Sequence, residues 1–149
     1  LFEYDDLAAK TDAATERFHT LAGDIQQTEA ELSRVSDLMA AVVQYAKTRP
    51  AFDGYKAAKY SRKYLAEHET ELVDYRAAKA TMAELLGGEK LPKMDVLKEK
   101  RRQLAAQKKA LYLEYRKAQQ DMRELVAVKG SVDHLRGLTD NQRNKEQTR

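Results

Sequence analysis

YDDLAAKTDAATERFHTLAGDIQQTEAELSRVSDLMAAVVQYAK, residues 4–47, decides the fold. Apolar and small residues recur through it at alternating spacings of three and four: Tyr4, Leu7, Thr11, Ala14, Phe18, Leu21, Ile25, Thr28, Leu32, Val35, Met39, Val42 and Ala46. An average of about 3.5 residues is the period of a helix packed along its length on another helix. Asp5 and Asp6 complement the helix dipole at the start. Gly23 costs about 1 kcal/mol against Ala, but the stripe continues past it. Pro50 disfavours helix at Arg49 and is expected to stop it there. At ~1.5 Å per residue such a helix is about 65 Å long, the shape of an arm, a spacer or an interaction surface rather than an active site.

Its partner is found further along. Leu97, Leu104, Leu111, Ala118, Leu125 and Val132 recur every seventh residue, flanked by Tyr115, Met122 and Leu135. They predict a helix over about 93–136, with Pro92 in its first turn and Gly137 closing it. Between the two, residues 51–60 read as a short helix or turn. Ser61 is placed to cap a helix over 62–86, with Leu65, His68, Leu72, Tyr75, Lys79, Met82 and Leu86 on its stripe and Leu85 beside it. Gly87-Gly88 ends that helix. Residues 138–149 are polar and aperiodic and are expected to fray.

The fold class is therefore all-α, and two arrangements compete. One is a long antiparallel hairpin of helices 4–47 and 93–136, with residues 51–87 as a short helical cap at its tip. The other is an up-down-up three-helix bundle, in which the two long helices run parallel. The bundle leaves seven or eight large apolar side chains bare unless a dimer covers them, at about 1.5–3 kcal/mol each. Charge favours the hairpin too: residues 1–50 carry 5 Lys/Arg against 9 Asp/Glu, and residues 91–149 carry 15 against 8. The expected organisation is one coiled-coil-like domain over 1–137, a fragment of a larger protein, followed by the polar tail 138–149.

Composition narrows the function classes. Of the 149 residues 34% are charged, and Cys and Trp are absent. No disulfide framework or thiolate metal site can form. No apolar run approaches the roughly 18 residues of a membrane span, and no signal-peptide pattern is present. A cytoplasmic location is expected. His19, His68 and His134 are isolated, with none of the spacings that bind metal. No catalytic residue, metal or cofactor is assigned.

Two basic patterns remain. Tyr45, Tyr55, Tyr60 and Tyr64 interleave with Lys47, Arg49, Lys56, Lys59, Arg62 and Lys63. Cations among aromatic rings can hold phosphates while bases stack; the alternative is a helical cap whose tyrosines form its own small core. On the last helix Arg102, Lys109, Arg116 and Arg123 are spaced by seven, with Lys98 one turn earlier and Arg101 and Lys108 beside them. That ridge could neutralise several phosphates, or be a solvated face balanced by Glu99, Glu114, Asp121 and Glu124. The DNA-contact candidates are thus Arg102, Lys109, Arg116, Arg123, Lys98, Lys47, Arg49, Lys56, Lys59, Arg62, Lys63, Tyr60 and Tyr64.

YAKTRPAFDGYKAAKYSRKYLAEHETELVDYRAAKATMAEL at 45–85 and KLPKMDVLKEKRRQLAAQKKALYLEYRKAQQDMRELVAVKGSVDHLRG at 90–137 resemble the helical region behind the nuclease domain of relaxases. These are the mobilisation nucleases of conjugative plasmids and integrative elements of Gram-positive gut bacteria. The resemblance implies a bacterial, non-catalytic module of a DNA-nicking protein whose tyrosine nucleophile and histidine-bound metal belong to another domain. No catalytic residue carries over. It implies as partners DNA, at the transfer origin or as a single strand, or relaxosome and secretion-coupling proteins, and no membrane. The competing expectation is a structural spacer or protein-docking arm that does not bind nucleic acid.

Overall fold

A computed structural model describes residues 3–147. Among them there are four helices and no strand: α1 (Tyr4–Ala57), α2 (Arg62–Glu67), α3 (Glu69–Leu86) and α4 (Met94–Gln147). The protein is all-α. It divides into two compact units, one built from α1 up to Gln27 with α4 from Gln107 onward, the other spanning Thr28–Ala106.

In the first unit α1 and α4 pair directly. The Tyr4 hydroxyl donates to Asp133 at 2.6 Å, and Phe18 stacks on Tyr115 with centroids 4.9 Å apart. Rising numbers on α1 meet falling numbers on α4, so the two run antiparallel, as in the hairpin and not the bundle. Leu7, Leu21, Ile25 and Ala118 are buried along the seam. Thr11 takes a stripe position without an orphaned hydroxyl, because its Oγ1 donates to the Leu7 carbonyl at 2.7 Å.

The second unit has a three-helix core. Val35, Leu38 and Met39 of α1 close on Leu97 and Leu104 of α4, with Met82, Leu85 and Leu86 of α3 packed against them. Arg34 donates from Nε (3.1 Å) and Nη2 (2.6 Å) to the Leu85 carbonyl, one of the unpaired acceptors at the end of α3. Gln44 reaches Asp74 at 3.4 Å, so α3 runs back along α1. Glu31 and Lys100 form an ion pair at 3.0 Å. Gly87 closes α3 in the left-handed conformation (φ 56°), its N–H on the Ala83 carbonyl.

Several helix limits differ from the sequence expectation. Pro50 does not end α1, which continues to Ala57. A proline inside a helix costs about 3 kcal/mol. Tertiary packing on both sides of it offsets this: Thr48 and Ala51 are buried, and Phe52 stacks on Tyr75 at 4.4 Å, as Tyr45 does at 5.1 Å. The first turns of residues 51–87 belong to α1, and α3 lies alongside it. The expected 62–86 helix is interrupted at His68 (φ −122°). Ala78, not Lys79, is buried on α3, and Ala46 is exposed. Pro92 precedes α4 rather than lying in its first turn. Gly137 does not close α4, since a lone glycine costs only about 1 kcal/mol and helix formers such as Gln142, Arg143 and Lys145 follow. The last two residues of the expected tail, 148 and 149, lie outside the described residues.

The start of α1 is held by a polar cluster. Arg136 lies 3.8 Å and Lys129 5.8 Å from the Tyr4 ring centroid, and Lys129 pairs with Asp133 at 2.9 Å. The Tyr4 hydroxyl, then Lys129, hold the Asp133 carboxyl below the usual carboxylate range. A depressed folded value means the contact adds stability above the ordinary titration near about pH 3.9 and loses it as pH falls through the depressed value. Tyr4→Phe should raise the Asp133 titration midpoint, followed by carboxyl NMR, towards that ordinary value. An unchanged midpoint would show that the hydroxyl does not reach Asp133 in solution.

Candidate nucleic-acid interface

The α1–α2 turn is built by a capping motif with an unusual occupant. The Tyr60 N–H bonds the Tyr55 carbonyl and the Lys59 N–H bonds the Lys56 carbonyl, both at 3.0 Å. This is the paired bonding of a Schellman end, whose left-handed residue is usually glycine. Here Lys59 (φ 55°) and Tyr60 (φ 60°) both adopt positive φ, at about 1–2 kcal/mol for a non-glycine residue. Tyr60 packs edge-on with Tyr55 at 5.2 Å and 89°, which supplies the apolar contact such ends carry. It remains 60% exposed.

Ser61 then caps α2, its Oγ accepting from the Tyr64 N–H at 3.4 Å. Tyr64 turns inward. Its hydroxyl donates to the Ala51 carbonyl at 2.8 Å, and its ring stacks on Tyr55 and on His68, the latter at 4.0 Å. His68 Nδ1 lies 3.1 Å from the Tyr64 carbonyl. A carbonyl oxygen only accepts, so Nδ1 carries the proton. Hydrogen bonding to Tyr45, with burial, pushes the Tyr75 phenol above its ordinary value. Tyr45, Tyr64 and Tyr75 are thus packing residues of the second unit, and Tyr60 is the aromatic that this turn displays.

The cations sort as clearly. Lys47, Arg49, Lys56, Lys59, Arg62 and Lys63 are all exposed. Arg49 is 3.9 Å from Asp53, and Lys56 sits 5.1 Å over the Phe52 ring. Lys59, Arg62 and Lys63 make no ion pair with a described residue. Between Asp53 and Glu67 there is no carboxylate to neutralise them.

The ridge on α4 is divided between the units. Lys98 and Arg102 belong to the second, where with Arg101 they line a groove of about 560 Å³ floored by Leu32, Ser36 and Ala105. Ser36 was not singled out from the sequence, and Arg101 only as lying beside the ridge. The signal for them was the 98–101–105 spacing facing 32 and 36 on α1. Arg102 is held by Glu99 at 2.7 Å, which lowers the Glu99 carboxyl and raises the guanidinium. In the first unit Lys109, Arg116 and Arg123 are exposed, with no ion pair to a described residue.

Among the described residues no group of three or more His, Asp or Glu could hold a metal ion, and no helix is long and apolar enough to cross a membrane. The chain matches no protein-family model, no curated protein and no solved structure.

Two substitutions at this turn should move stability in opposite directions. A Cβ on Gly54 would lie 2.9 Å from Cζ of Tyr64, inside van der Waals contact. Gly54→Ala should therefore displace the Tyr64 ring and lower the unfolding free energy measured in urea by about 1–3 kcal/mol. Lys59→Gly should raise it by up to about 1 kcal/mol by relieving positive φ. A neutral Gly54→Ala would mean that Tyr64 does not pack there.

Proposed function

We propose that this chain is the non-catalytic helical module of a DNA relaxase acting in conjugative mobilisation, and that it contacts DNA through exposed cations. The sequence blocks at 45–85 and 90–137 support the family reading. The observation that carries the DNA contact is the α1–α2 turn, where Lys59, Arg62 and Lys63 stand exposed and without ion pairs to described residues on a stretch free of carboxylates. Cations already paired with carboxylates gain little from a phosphate. These three gain the full release of counterions. On the first unit, Lys109, Arg116 and Arg123 have the same character, whereas Arg102 is engaged by Glu99.

A second reading, a protein-docking arm in the relaxosome or the coupling machinery, is favoured by Val128, Leu135 and Leu138. They lie on α4 at helical spacing and are 51%, 62% and 52% exposed. Such a face is an ordinary place for another helix to pack.

Fluorescence anisotropy over a salt series separates the two. Lys59→Gln/Arg62→Gln/Lys63→Gln and Lys109→Gln/Arg116→Gln/Arg123→Gln should each weaken DNA binding and flatten the salt slope, by about 0.7–0.9 for each phosphate no longer neutralised. Absence of DNA binding by the parent chain at low salt would overturn the first reading and leave the docking arm.

A further inference from the structure

We infer that the α1–α2 turn takes unpaired nucleotides, with Tyr60 as the surface on which a base stacks and Lys59, Arg62 and Lys63 as the phosphate contacts. This rests on the nucleic-acid reading above and specifies its substrate as single-stranded nucleic acid rather than duplex.

Three observations carry it. The first is the fate of the tyrosines. Tyr64 is consumed by the Ala51 carbonyl and by two ring contacts, and Tyr45 and Phe52 by Tyr75. Among the described residues Tyr60 makes one ring contact, edge-on at 89°. In a perpendicular pair at most one face of a ring is covered, so a face of Tyr60 stays open to a flat partner. The second is its mounting. Tyr60 follows Lys59 in a doubly bonded helix end at positive φ, so the ring is held rather than trailing from a flexible loop. The third is charge: every charged residue between Asp53 and Glu67 is a cation, Lys59, Arg62 and Lys63 among them. A duplex hides its base faces in its own stack and could use only the cations. A single strand uses both, since its bases are open to an aromatic ring while its phosphates follow the basic residues.

The test is anisotropy with a fluorescent thymidine-rich single strand and a duplex of equal length, read beside phosphatidylserine vesicles. Tyr60→Leu keeps the apolar contact to Tyr55 but has no ring, and Tyr60→Trp enlarges the stacking face. Circular dichroism melts show whether both fold. The parent should prefer the single strand. Tyr60→Leu should weaken single-strand binding by about 5- to 150-fold, the value of one stacked base, and leave duplex binding unchanged. Tyr60→Trp should bind the single strand at least as well as the parent. Equal loss on both substrates, or no loss on the single strand, overturns the stacking role. If the Lys59/Arg62/Lys63 variant still weakens binding in that case, the cation reading survives alone. Binding to vesicles and to neither nucleic acid overturns both.

Discussion

Burial of one side of α1 is the constraint from which the rest follows. A helix of 54 residues has no interior of its own, and its polar face contributes little to holding it folded. Its stability must come from apolar contacts made by other elements. In the second unit those contacts come from two directions. The Val35, Leu38 and Met39 cluster faces Leu97 and Leu104, while Tyr45 and Phe52 lie on Tyr75 of α3. This packing also explains why α1 survives Pro50. The proline is exposed, while Thr48, two residues before it, and Ala51, just after it, are buried.

The sequence was most legible where one helix face met one partner. Leu7, Thr11, Leu21, Ile25, Thr28, Val35 and Met39 all lie on the stripe read from spacing, and all are buried. The Leu97, Leu104 and Ala118 register on α4 was equally plain. Legibility failed where α1 buries a second face. Leu38, Ala41, Thr48 and Ala51 fall off the single stripe because α3 occupies an adjacent side of the helix. A period-based reading assumes one seam, so it ended the helix at the proline and placed α3 beyond it. The same assumption put Lys79 on the buried side of α3, where a small residue, Ala78, meets the neighbouring helix.

Local punctuation divided along similar lines. Ser61 and Gly87 act through bonds to residues within four positions, so their roles could be read from identity alone. The end of α1 could not. It is a glycine-type turn made by Lys59 and Tyr60, and propensity gives no reason to place a helix stop there. The His68 break has the same cause, since the ring that stacks on Tyr64 and bonds its carbonyl is part of a local cluster invisible to periodicity.

For the candidate interface, counting cations was the easy half. What residue type alone cannot say is which cations are already engaged. Arg102 and Lys109 are neighbours on the same heptad line, yet the first is held by Glu99 three residues before it and the second makes no such pair with a described residue. The tyrosines sort by the same rule. Four of them within twenty residues look equivalent as letters, and hydrogen bonding and ring contacts then commit Tyr64 and Tyr45 to the fold. A surface can bind only with groups the fold has not used. By that criterion Tyr60 and its basic neighbours, which make no ion pair with a described residue, are the turn's spare chemistry: an aromatic face and three charges on a doubly hydrogen-bonded helix end, with a backbone strain that a glycine would have avoided.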